Sequence, residues 1–275
     1  MDADIKPFNI SISDAKIAHL RQKLEHATFL HEMPLSDSWS YGVRLSDIKR
    51  LYTTIIYVDG FDPLKIGILL TWPSKPGFAL EQYAESCHKL ILKLGRLVVT
   101  QGGDWGYGIT RFMGIRYGPM SSSATDDSGA VLASHINHNL GVPPSISQEK
   151  AGLARTDRFW EEGAAYNRLH CHNLTTIGIA LRDSPVVLLS WIYGKLHDWT
   201  DDEILTRISI YQFSDAGPEA GCRVYYENAH LASAKQVEEC YPGAKVGVST
   251  FPQDFLMSLG HCQTLGSLVF EKWHD

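Results

Sequence analysis

The segment Leu97-Val98-Val99-Thr100-Gln101-Gly102-Gly103-Asp104-Trp105-Gly106 constrains the fold more than any other in the chain. Three apolar residues of strand character run without a linker into an acid that has glycine two positions away on either side. A helical stretch from Tyr107 to Tyr117 follows. A strand that turns sharply into a helix holds its central residue in a strained backbone conformation. Side chains two positions away would collide, which is the reason for Gly102 and Gly106. This is the geometry of a nucleophile elbow. It predicts Asp104 raised above a buried strand at a helix N-terminus, where the Trp105 amide and the helix dipole favour negative charge. An ordinary Gly-Asp turn is the alternative on spacing alone.

Periodicity around this segment predicts alternating helices and strands. A helix begins after Ser13, which can cap a first-turn amide, with Ile17, Leu20 and Leu24 at helical spacing. A second starts near Ser46. Residues 66–70 (IGILL) read as a strand buried on both faces. Leu80, Tyr83, Ala84, Cys87, Leu90, Ile91 and Leu94 then keep helical spacing up to Gly95. Residues 119–148 have weak periodicity and are expected to be irregular, with a short helix at 131–136. Further helices are expected at 158–166, 185–196 and 201–211, and late strands at 245–251 and 267–270.

Composition narrows the function. Thirty-one acidic against 25 basic residues leave a net charge of −6, with no basic run to grip a phosphate backbone, so no nucleic-acid partner is expected. Five scattered cysteines without a CxxC pair point to a reducing, cytoplasmic compartment. The longest apolar run, PVVLLSWIY, is too short to span a bilayer, and the first residues lack the pattern of a signal peptide.

A carboxylate at the elbow changes the chemistry from that of a hydroxyl. Aspartate, with a reference pKa of about 3.9, is already ionised at neutral pH and needs no base to attack. It suits displacement at a saturated carbon, giving an alkyl ester on the protein, which water must then hydrolyse with the help of a base.

Five blocks occur in order along the chain: PFNISISDAKIAHLRQKL followed by SWSYGV, QGGDWG, AYNRLHCHNLTTIGIALRDSPVVLLSWIYGK, CRVYYEN and VGVSTFPQDF. Through them the chain resembles the epoxide hydrolases of the microsomal and fungal type. The resemblance implies an α/β-hydrolase fold, a mostly parallel central sheet flanked by helices with a helical lid. Residues 1–60 correspond to an N-terminal extension, and 61–275 to the core, with the lid at about 119–240. It also implies cofactor-independent opening of a small-molecule epoxide by water to a vicinal diol, with no metal. Asp104 becomes the nucleophile, Tyr166 and Tyr226 the phenols that assist ring opening, with Tyr225 as the alternative to Tyr226. Asp254 becomes the acid that orients a histidine, and the Trp105 amide part of the oxyanion hole. A phenol can donate to the oxirane oxygen as the ring bond breaks, which an alkoxide leaving group requires.

Two departures qualify these expectations. The family's catalytic histidine lies in a Gly-Gly-His-Phe run beyond the last strand, whereas here only His261 and His274 follow Asp254. The HGWPG motif is replaced by Thr71-Trp72-Pro73. We therefore expect a shortened chain with an incomplete sheet, in which the ester forms but its hydrolysis is impaired. A non-catalytic descendant that binds a ligand or partner through the old pocket is the main alternative. A haloalkane dehalogenase shares the aspartate but has no use for paired tyrosines. A metal site on His170 and His172 would need those two to alternate along an extended segment. A homodimer is compatible with this reading.

Overall fold

Ser13 begins the first helix as its position predicts: its hydroxyl accepts the Lys16 amide at 3.4 Å. The computed structural model describes residues 11–57, 76–95, 97–119, 131–137, 147–196, 198–231, 241–251 and 266–274. In chain order the elements are α1 (Asp14–Glu25), α2 (Leu45–Tyr57), α3 (Leu80–Leu94), β1 (Val98–Gly102), α4 (Trp105–Tyr117), β2 (Val131–Ile136), α5 (Ser147–Arg158), α6 (Ala165–His172), α7 (Leu174–Asp183), α8 (Pro185–Tyr193), α9 (Asp201–Phe213), α10 (Arg223–His230), β3 (Tyr241–Thr250) and β4 (Gly266–Trp273). The expected strand at 66–70, Thr71-Trp72-Pro73, Asp254 and His261 lie outside the described residues. No helix among the described residues is long and apolar enough to cross a membrane.

The chain divides into two compact units, one of Met1–Trp72 with Asn173–Cys222, the other of Pro73–His172 with Arg223–Asp275. The described residues of the first are helical. Its centre is α8, whose sequence is apolar nearly all round and buries Val186, Leu188, Leu189 and Tyr193. Ser184 caps this helix by accepting the Val187 amide, and Pro185 takes the first position, where no amide partner is needed. The Tyr193 hydroxyl donates to Asp47 at 2.9 Å, and Arg44 holds the same carboxylate at 2.7 Å. A buried acid is thus satisfied by two donors.

Among its described residues the second unit is built on four strands, all parallel, in the order β1-β2-β3-β4. Helix α4 packs against β1, β2 and β3, and α3 packs on α4. Leu80, Ala84, Tyr107, Phe112, Met113, Val131, Ile136, Val246 and Val248 form the core between them. Gly95 ends α3 at φ 58°, a left-handed conformation that glycine adopts without strain.

Residues 131–136 are a strand and not the short helix expected from sequence. Val131, Ser134 and Ile136 are buried against α4 while Leu132 is exposed. Pairing on both edges, Gly102 with Ile136 and Ile136 with Val248, outweighs the weak local pattern. Parallel strands leave their carboxyl ends along one edge of the sheet, the usual location of ligand sites in such folds. Asp104 stands at that edge, two residues past the end of β1.

Candidate active site

Asp104 has φ 48° and ψ −130°, one of only two non-glycine residues with positive φ among those described. The strain of such a conformation is of order 1–3 kcal/mol and persists only where the surroundings enforce it. Here they do. A Cβ on Gly102 would strike the Gly106 carbonyl and the Thr110 hydroxyl, and one on Gly103 would strike the Asn137 side chain. On Gly106, by contrast, a Cβ meets nothing within 4 Å. The steric demand for glycine therefore lies on the strand side of the turn and not symmetrically, as the sequence suggested.

These contacts predict unequal mutants. Gly102→Ala is expected to cost about 1–3 kcal/mol by overpacking against backbone. Gly106→Ala in the first turn of α4 is expected to be neutral or slightly stabilising, by up to about 0.5–1 kcal/mol. Urea unfolding of the two variants checks the contrast.

The Asp104 carboxylate is exposed and makes no capping hydrogen bond to α4, although it occupies the N-cap position. It is left available above the helix N-terminus. Trp105, the first residue of α4, turns its indole across the face of Tyr225, with ring centroids 4.9 Å apart and planes crossed at 85°. Its Nε1 is buried with no formed hydrogen bond among the described residues, yet it faces the Tyr225 phenol closely enough to favour ionisation there.

Tyr166 lies in the first turn of α6 and Tyr225 in the first turn of α10, and these two helices pack together. The two rings meet edge to face at 6.0 Å. Burial raises the Tyr166 pKa above its ordinary 10, and the Asp104 charge raises it further, while Tyr225 acts in the opposite sense. Burial likewise pushes Tyr225 well above the ordinary range. The Trp105 indole opposes that, and the Tyr166 and Asp104 charges add to it. Both phenols therefore keep their protons through the neutral range and can donate them, and both lie within the field of one carboxylate.

The phenol beside Tyr166 is that of Tyr225, whereas Tyr226 is 38% exposed and stacks on His230 at 4.3 Å. Helical spacing carried the signal: Val224, Tyr225 and Asn228 share the inward face of α10, and Tyr226 and His230, four apart, share the outward one. The Tyr225 backbone is anchored as well, its carbonyl accepting from Cys171 Sγ at 3.7 Å.

His170 and His172 lie on helix α6 and not on an extended segment. His170 is buried and His172 exposed, so the two do not converge on a metal. His170, 5% exposed, packs instead against both phenols. Burial lowers its pKa to about 4. The folded state thus holds it neutral where the unfolded chain takes up a proton near 6.5. Between those values the unfolded state binds more protons, so the contribution is whole above 6.5 and is lost as pH falls toward about 4. The loss is of order 3 kcal/mol. Unfolding curves at about pH 7 and about pH 4.5 are expected to show it, and His170→Leu to flatten it.

His274 sits at the end of β4, where its Nε2 reaches the Ser249 hydroxyl at 3.4 Å and its ring stacks on Phe251 at 4.3 Å. Ser249 also meets His135 Nε2 at 3.0 Å. His274 is thus engaged with β3 and its flank, and no contact to the phenols or to Asp104 is formed among the described residues.

Residues 5–62 match the family described as "Epoxide hydrolase N terminus". A protein of Stigmatella aurantiaca provisionally named an epoxide hydrolase is 30% identical over 227 residues, which cover 74% of this chain and 47% of that protein. The chain spans about half the length of the curated relatives it matches. Among solved structures, Aspergillus niger epoxide hydrolase superposes with a TM-score of 0.78 at 21% identity, over 100% of this chain and 91% of that one. Juvenile hormone epoxide hydrolase of the silkworm Bombyx mori gives 0.79 at 15% identity, over 99% and 89%. At these identities the likeness to solved structures carries the fold.

Proposed function

We propose that the chain is an epoxide hydrolase of the α/β-hydrolase superfamily and that it opens an epoxide to a vicinal diol through an ester on Asp104. A carboxylate oxygen of Asp104 attacks an oxirane carbon and forms the ester bond. The ring C–O bond breaks, and its electron pair goes to the oxirane oxygen, which takes a proton from Tyr166 or Tyr225 and becomes a hydroxyl. Water then adds to the ester carbonyl, whose developing negative charge faces the Trp105 amide at the N-terminus of α4. Collapse breaks the ester C–O bond and regenerates the carboxylate; one proton of the water goes to the departing oxygen, completing the diol, and the other returns to the phenolate.

One observation carries this reading. A single exposed carboxylate at a strained turn stands close enough to two half-buried phenols for its charge to oppose the ionisation of both. A solvated loop aspartate has no such company. The hydrolytic half needs a base on water. By resemblance Asp254 would orient an imidazole for it, and neither His261 nor His274 stands in a Gly-Gly-His-Phe run.

The test is a single turnover of styrene oxide in ¹⁸O water. Because water attacks the carbonyl, the first diol is expected to carry an unlabelled Asp104 oxygen, while the label enters the Asp104 carboxylate. Label appearing in the first diol would mean direct attack by water and would sink the ester. An intact-mass adduct that persists without diol would place the chain as a covalent binder of epoxides, impaired in the second step.

A further inference from the structure

Three rings in the second unit form a closed triangle of edge contacts. Centroids lie 6.0 Å apart for Tyr166 and Tyr225, 5.7 Å for Tyr166 and His170, and 4.7 Å for His170 and Tyr225. The planes cross at 81°, 77° and 71° in the same order. Two corners are the phenols that the ring opening uses. The third has no part in that chemistry, yet it is the most deeply buried, at 5% exposure. It also follows Tyr166 by four residues on α6, so the two side chains share one face of the helix.

Edge-to-face contacts between rings stabilise a pair beyond burial, and they fix orientation as well as separation. Tyr225 is gripped on another side by Trp105. The imidazole closes the gap that would otherwise let the Tyr225 ring swing toward α6. Being neutral, it adds no positive charge that would pull the phenols toward phenolate, the form that has no proton to give.

We propose that His170 is a positioning residue of the ring-opening step, a wedge between α6 and α10 that holds the Tyr225 phenol, and with it the donor pair, against Asp104. The inference rests on the roles given above to Asp104, Tyr166 and Tyr225. It predicts that His170 acts through the Tyr225 hydroxyl and not on stability alone.

A double-mutant cycle on the full chain tests it, with styrene oxide as the probe and the rate of adduct plus diol formation as the signal. His170→Ala is expected to slow the saturated rate about 10–100-fold, the cost of a misplaced donor, with little change in half-saturating concentration. His170→Phe, which keeps an edge-on ring, is expected to recover most of it. In a Tyr225→Phe background, His170→Ala is expected to cost nothing further, because both changes remove the same interaction. Fully additive losses would overturn the proposal, as would a His170→Ala loss traced by thermal melting to unfolded protein alone.

A second readout is independent of turnover. In 3-fluorotyrosine-labelled protein, with resonances assigned by single Tyr→Phe variants, His170→Ala is expected to move the Tyr166 and Tyr225 signals and leave Tyr193 in place. Unmoved signals would overturn the wedge even in a protein that reacts with no epoxide. Signals that move in such a protein support the wedge and locate the failure in the functional reading.

Discussion

Asp104→Ala is expected to abolish ring opening, with a fall of at least about 10⁴-fold in the rate of epoxide consumption, since the loss of a covalent nucleophile leaves only positioning and electrostatics. Intact-mass analysis after incubation with styrene oxide checks it: the adduct on residue 104 should vanish, and labelling elsewhere should be unchanged. Stability supplies an independent arm. The backbone at Asp104, φ 48° and ψ −130°, penalises any residue with a Cβ. Asp104→Ala keeps that strain, whereas Asp104→Gly relieves it, by about 1–2 kcal/mol. Two inactive variants are thus expected to melt at different temperatures, the glycine variant above the parent. A turn that stores strain for its side chain's sake behaves in this way, and an incidental Gly-Asp turn does not. Removing the charge should also lower the pKa of both phenols toward the ordinary range, since the Asp104 charge raises each.

What the sequence disclosed depended on how local the cause was. The elbow was legible because strand, glycine and helix are adjacent in the chain, and the collision at Gly102 involves residues only four and eight positions away. Helices α1 and α3 were legible through the Ser13 cap and through apolar spacing that ends at Gly95. Strand β2 was not, because Ser134 and His135 interrupt its apolar run. Only pairing with β1 and β3, more than a hundred residues apart in the latter case, makes it a strand. Helix α7 escaped for a similar reason. Its threonines and Gly178 weaken the pattern, and burial of Ile177, Gly178 and Leu181 against neighbours decides it. At the site, Asp104 and Tyr166 were named from sequence and lie in one neighbourhood. The choice between Tyr225 and Tyr226 turned on which face of α10 meets α6, a tertiary fact. His170 drew attention as a metal ligand because a His-Cys-His run is conspicuous, and the spacing that mattered was the four residues from Tyr166.

That choice between adjacent tyrosines gives the second large effect. Tyr225→Phe is expected to slow ring opening about 10²–10³-fold, the range for losing a general acid, while Tyr226→Phe stays within about twofold of the parent. Tyr225 is half-buried, meets Trp105, His170 and Tyr166, and feels the Asp104 charge. Tyr226 points outward onto His230. Urea unfolding checks that both variants are folded before any substrate is added. Single-turnover rates with styrene oxide then separate chemistry from folding: a fall in rate at unchanged half-saturation marks a donor used in the transition state. Should Tyr226→Phe prove the slow variant and Tyr225→Phe the fast one, α10 would have to turn by about 100° about its axis to bring Tyr226 to Tyr166. Val224 would then leave the core, and the grouping of carboxylate and phenols would no longer stand.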